Sequence, residues 1–117
     1  STPFMIVSAT LNDMPIVYVN AGFKQLTGLS TQDVIGRNAR ILQSATRQVS
    51  PLNRNQMSEL GAQLGGIKAK IMSGREAAGI VLNYKKSGAP FYCNFVAVPV
   101  TDTKVQSAGN VAYFIGL

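Results

Sequence analysis

The sequence sets one long helical stripe between two blocks of strand-like residues, and that order limits the folds open to it. Met57, Leu60, Leu64, Ile67 and Ile71 recur at intervals of three and four, the spacing of a helix with one buried face. Before the stripe, Phe4–Ala9 and Ile16–Val19 are short apolar and β-branched runs. After it come residues 78–86, residues 90–100 and Val111–Ile115, which read as three more strands. Asn12-Asp13-Met14-Pro15 is turn chemistry that makes a hairpin of the first two. Ser87-Gly88-Ala89 reads as a three-residue turn; with Lys86 facing Pro90, Asn83 falls directly opposite Cys93, both on one face of the sheet. Strands, then helices, then strands predict an α+β fold: a five-stranded antiparallel sheet with helices over one face and a ligand cavity between the layers.

The connecting segments carry their own signals. Asn20 is placed to cap a short helix with Phe23 and Leu26 inward and Gly28 as its stop. Ser30 and Asp33 form a capping box for a second turn of helix that Gly36 ends. Residues 44–55 are polar, contain Pro51 and show no period, so they read as a loop, as do residues 102–110. Gly61, Gly65 and Gly66 weaken the long helix by roughly 1 kcal/mol each, so either something approaches it closely or it breaks near Gly65. Gly74 is the expected terminator.

Composition narrows the functional classes. A chain of 117 residues, 46% of them hydrophobic, is expected to fold as one domain over residues 1–117. No apolar run reaches the roughly 20 residues of a membrane helix, so no membrane partner is expected. The first residue is Ser and no signal peptide is visible, so the chain reads as an excised or processed fragment. One cysteine and no histidine argue against a disulfide and a zinc site, and favour an intracellular setting, cytoplasmic or nuclear. The net charge of +6 is regional, with seven of eleven basic residues between Arg37 and Arg75. Those residues are scattered and no nucleic-acid motif accompanies them, so no nucleic-acid partner is expected. No nucleophile or acid–base constellation marks an enzyme.

One segment concentrates binding chemistry: Gly36-Arg37-Asn38-Ala39-Arg40-Ile41-Leu42-Gln43. Amides exchange hydrogen bonds with hydroxyls and a guanidinium forks onto phosphate, so the segment suits a polyol and a phosphate, or is simply a solvated amphipathic turn. It resembles the GRNCRFLQ signature of LOV domains, the flavin-binding blue-light sensors within the PAS superfamily. Ile16–Asn20 through Thr27-Gly28, together with Leu82–Lys86, Ala89–Phe91 and Phe114–Leu117, resemble the flanking LOV segments, so the likeness covers nearly the whole chain.

The resemblance implies a PAS fold and a pocket. Asn38 and Gln43 match residues that hold the ribityl chain, and Arg40 matches one that binds the phosphate. Lys68 stands where the family has a second phosphate-binding arginine, Asn83 matches an asparagine that reads the pyrimidine edge, and Cys93 replaces that residue's partner asparagine. The family's photoreactive cysteine is Ala39 here, which implies that the usual cysteinyl–flavin bond does not form at this position. Twenty-four residues separate Gln43 from Lys68, longer than in compact LOV domains and similar to fungal members that accommodate FAD; plant members with an insertion use FMN, which is the cofactor expected here, with FAD as the alternative. Two functions follow: a flavin-binding photosensory or redox-sensory module acting on an output domain outside this chain, or a PAS interaction module with another ligand or none, forming homodimers through its sheet. For Cys93, a small buried hydrophobe is the simpler role.

Overall fold

The computed structural model describes residues 2–43, 54–104 and 111–116. β1 (Met5–Ser8) and β2 (Ile16–Val19) pair antiparallel as the expected hairpin. α1 (Ala21–Thr27) starts where Asn20 Oδ1 accepts the Phe23 N–H at 2.9 Å; the same oxygen accepts the Phe4 N–H at 2.9 Å, which ties the helix start to the entry of β1. Gly28 ends it at φ 73°, a left-handed conformation that glycine adopts without strain. Phe23 is buried, and Leu26 is half-buried. α2 (Thr31–Val34) opens on the complete Ser30–Asp33 capping box, and Gly36 turns the chain at φ 85° just beyond it.

The Gly36 N–H then donates to the Ile16 carbonyl at 2.9 Å, and the Ile16 N–H donates to the Arg37 carbonyl at 2.8 Å. Those bonds lay the start of the octapeptide along β2, and an isolated bridge between Pro15 and Asn38 continues the contact. Ala39–Gln43 follow as a 3-10 turn.

The long stripe is α3 (Arg54–Met72), so Arg54 and Asn55, expected in a loop, are helical; residues 44–53 of that loop lie outside the described residues. The helix does not break at Gly65, and among the described residues a Cβ built on Gly61, Gly65 or Gly66 reaches no heavy atom within 4 Å. Their cost is borne by packing, because Ile67 is buried and Leu64 and Ile71 are half-buried against the sheet. Gly74, at φ 76°, closes α3 as expected.

β3 (Ala77–Tyr84), β4 (Pro90–Thr101) and β5 (Val111–Gly116) complete a five-stranded antiparallel sheet in the order β2-β1-β5-β4-β3. The β3–β4 register differs from the expected one. Tyr84, not Lys86, faces Pro90, so Asn83 pairs with Phe91 and Cys93 pairs with Val81. The cause lies outside the hairpin: the Lys86 N–H donates to the Thr27 carbonyl at 2.7 Å, which draws Lys86 off the ladder and lengthens the turn to residues 85–89. The displacement is two residues, so every side chain keeps its face.

Two buried clusters hold the layers together. Met5, Ile16, Val19, Phe23, Val34 and Leu42 form one, under α1, α2 and the 3-10 turn. Ile67, Ala77, Val81, Ala97, Val111 and Phe114 form the other, between α3 and β3–β5. Val7 and Phe95 pack against both. On the sheet's other face Tyr18, Ile80, Tyr92, Val100 and Tyr113 are exposed. Among the described residues no helix is long and apolar enough to cross a membrane.

Candidate ligand-binding site

Between the sheet and the helices lies a cavity of about 580 Å³. That is within the range of small-molecule and cofactor sites. Its body is apolar, built from both clusters and including Val7, Leu42, Ile67, Val81, Phe95 and Phe114. Polar groups reach it from separate elements: Asn38, Arg40 and Gln43 from the octapeptide, Lys68 from α3 and Asn83 from β3. These residues are distant in sequence, and the fold gathers them around one space.

The 3-10 geometry explains how the octapeptide contributes. Its residues three apart eclipse one another, and Arg40 and Gln43 both line the cavity. Asn38 stands just before the turn and shapes it: its Oδ1 accepts the Arg40 N–H at 2.9 Å, and its Nδ2 donates to the Asp13 carbonyl at 2.7 Å. A carboxamide offers two N–H groups and two oxygen lone pairs, so one of each remains for a ligand after those bonds. Ala39, half-buried, packs against the first cluster and forms part of the cavity wall.

Asn83 is 8% exposed. Among the described residues its carboxamide makes no side-chain hydrogen bond, and it borders the cavity. A buried amide in that position has its donors and acceptor available to whatever fills the space.

Cys93 does not line the cavity. It shares a face with Phe95 and Ala97, which do, but the lining on β4 stops at Phe95. The register sets Cys93 against Val81, two pairs along the ladder from the Asn83–Phe91 pair. Burial raises its thiol pKa above the usual 9.0, so the side chain is a neutral thiol near pH 7. Asn94, its neighbour, is exposed on the opposite face, as the alternation requires.

The charges at the rim are unequal in their surroundings. Lys68 and Arg40 are both exposed. Lys68 forms no ion pair with the described residues, whereas the Arg40 guanidinium is engaged by both carboxylate oxygens of Asp13, Nη1 donating to Oδ1 at 3.0 Å and Nη2 to Oδ2. Asp13, read from the sequence only as part of a turn, also lines the cavity. Its signal is invisible in sequence because its partner is 27 residues away. The turn itself is unusual: Asp13 and Met14 have φ of 63° and 45°, left-handed values uncommon for residues other than glycine.

Comparison with known proteins bears on this geometry. Residues 2–115 match the PAS domain family model. The chain is 35% identical over 117 residues to the White collar 1 protein of Neurospora crassa, covering 99% of this chain and 10% of that protein. It is 34% identical to Phototropin-2 of Oryza sativa subsp. japonica, covering 97% of this chain and 11% of that protein, so it spans about a tenth of either relative's length. Among solved structures, the light state of the blue-light photoreceptor Aureochrome1 LOV superposes with a TM-score of 0.77 at 31% identity, covering 98% of this chain and 77% of that one. The light-state dimer of the fungal blue-light photoreceptor Vivid superposes with a TM-score of 0.77 at 28% identity, covering 97% of this chain and 74% of that one.

Proposed function

The chain belongs to the PAS domain family and to its LOV branch, and from that premise we propose that it is a flavin-binding sensory module whose cavity holds FMN. The observation that carries this reading is the distribution of polarity around one apolar cavity: a buried, available amide at Asn83, and amides and cations on the octapeptide and α3. A flat heteroaromatic ring with a polyol phosphate tail matches that layout, with Asn83 on the ring's polar edge, Asn38 and Gln43 on the hydroxyls, and Arg40 and Lys68 on the phosphate. Lys68 supplies a point charge without the bidentate fork of an arginine. Bound flavin would supply blue absorption and one-electron chemistry. Residues 1–117 would act as a single sensory domain that biases an output element elsewhere in a longer protein.

Ala39 stands at the position of the family's reactive cysteine, and its methyl group has no nucleophile. Cys93, off the cavity and protonated, does not replace it. Illumination is therefore expected to leave the blue absorption band without cysteine-dependent bleaching. The variant Ala39→Cys is expected to gain reversible bleaching, and reversible bleaching of the unmodified protein that vanished in Cys93→Ser would contradict this assignment. The primary test is chromophore identity. Purified protein should be yellow and fluoresce green, and denaturation should release FMN when run against FMN, FAD and riboflavin standards. A colourless protein that takes up none of the three would end the proposal.

The exposed apolar residues on the sheet favour a second property, self-association through that face. A Tyr113→Asp variant should then run as a smaller species than the parent in light scattering, with flavin content unchanged.

A further inference from the structure

The acidic turn at the cavity mouth faces the same guanidinium that the phosphate needs. Asp13 holds the Nη1–Nη2 edge of Arg40 in a two-point pair, the edge geometry with which arginine also forks onto phosphate. The turn is fixed there by further contacts: Asn38 Nδ2 donates to the Asp13 carbonyl at 2.7 Å, the Met14 N–H donates to the Leu11 carbonyl at 3.2 Å, and the Ser8 N–H donates to the Pro15 carbonyl at 2.9 Å. Left-handed backbone at two successive non-glycine residues is retained only where surroundings over-determine it. The backbone that carries the carboxylate is thus held at the rim by the fold.

We infer that Asp13 is a specificity-determining residue that sets how strongly the site favours a phosphorylated ligand over its neutral counterpart, by competing with the phosphate for Arg40. This rests on the reading of Arg40 as the phosphate-binding cation. A phosphomonoester carries a charge of about −1.5 to −2 at neutral pH. To reach Arg40 it must displace Asp13 from the fork or accept a carboxylate beside it. A neutral ligand meets neither demand. Lys68, which has no ion-pair partner among the described residues, remains as the unopposed charge.

The test separates charge from shape. Asparagine tolerates left-handed backbone and keeps the side chain's size, so Asp13→Asn removes the charge and leaves the turn; Asp13→Gly takes positive φ freely and serves as the second variant. Flavin-free protein would be titrated with FMN and with riboflavin, following quenching of flavin fluorescence. FMN binding should tighten about threefold to fivefold in Asp13→Asn, the scale of an exposed ion pair, with riboflavin binding unchanged. The gain should vanish in the Arg40→Gln background, and Asp102→Asn, which changes net charge alone, should show none of it. Equal change for both ligands, or a gain that persists without Arg40, would overturn the role of Asp13. Inorganic pyrophosphate supplies a readout independent of flavin: it should raise the melting temperature of Asp13→Asn more than that of the parent, and only with Arg40 present. Pyrophosphate stabilisation without flavin binding would retain the competition and discard the flavin; flavin binding without either Asp13 effect would do the reverse. Absence of both would discard both.

Discussion

The two walls of the cavity differ in how much directed polar contact is added to burial. The wall made by the octapeptide and the Leu11–Met14 turn is anchored by buried Leu42 and, in addition, by directed polar contacts: Asn38 to Asp13, Arg40 to Asp13, and Gly36 and Arg37 to Ile16. The wall made by α3 and β3–β5 is fastened by burial of Ile67, Val81, Ala97, Val111 and Phe114. Directed contacts fix where donors and charges point, which a binding rim requires; burial fixes spacing without direction, which an apolar cavity body requires. On the proposed reading, the residues that carry stability, such as Val81 and Phe114, differ from those that would bind, namely Asn38, Arg40, Gln43, Lys68 and Asn83.

Phe114→Ala offers the harshest challenge to that division. Phe114 is 2% exposed, and its truncation should cost about 3–5 kcal/mol in denaturant unfolding, with the cavity enlarged. Asn38→Ala removes two hydrogen bonds at a half-buried position and should cost only about 1–2 kcal/mol while weakening ligand binding. Comparable losses of stability for the two would erase the distinction between the walls.

Gly65→Ala probes the solvent side of α3. With nothing within 4 Å of the built Cβ, the substitution should stabilise the protein by about 0.5–1 kcal/mol in the same unfolding measurement. A loss would mean that the back of α3 packs against another part of the molecule.

The smallest expected effect concerns a link outside the cavity walls, at α2. Asp33 Oδ2 accepts from the Ser30 N–H at 2.8 Å and from Lys86 Nζ at 3.2 Å, joining α2 to the β3–β4 turn. The Ser30 N–H and then the Lys86 ammonium hold its pKa below the ordinary 3.8. A depressed carboxylate pKa gives stability that is present above the unfolded value and lost as pH falls through the folded one. Melting temperature measured down from pH 5 to below pH 3.8 should therefore fall less steeply in Asp33→Asn than in the parent. Identical slopes would remove Asp33 from the acid response.

Much of this structure was legible locally. Asn20 and Gly28 bound α1, Ser30 and Asp33 open α2, Gly74 closes α3, and the Leu64, Ile67 and Ile71 stripe faces the sheet as its spacing predicted. Such features depend on residues within a turn or two of one another, where backbone geometry alone relates sequence to position. The face of each strand was legible for the same reason, since alternation survives a two-residue slip: Asn83 and Cys93 share a face even though they are not partners.

The partners themselves needed the tertiary structure. The β3–β4 register is decided by Thr27, whose carbonyl draws Lys86 from the ladder across 59 residues of chain (86 − 27), and no pattern in the hairpin carries that information. The survival of α3 through Gly65 and Gly66 reflects burial of its other face, a sum over contacts that helix propensity does not contain. The pairing of Asp13 with Arg40, and with it the charge that a ligand meets at the rim, exists only because the fold closes the first turn onto the octapeptide. Sequence by itself set which residues can bind and which side of each element they occupy; the packing of distant segments decided which of them meet, because hydrogen bonds and ion pairs act over ångströms in space with no regard for separation along the chain.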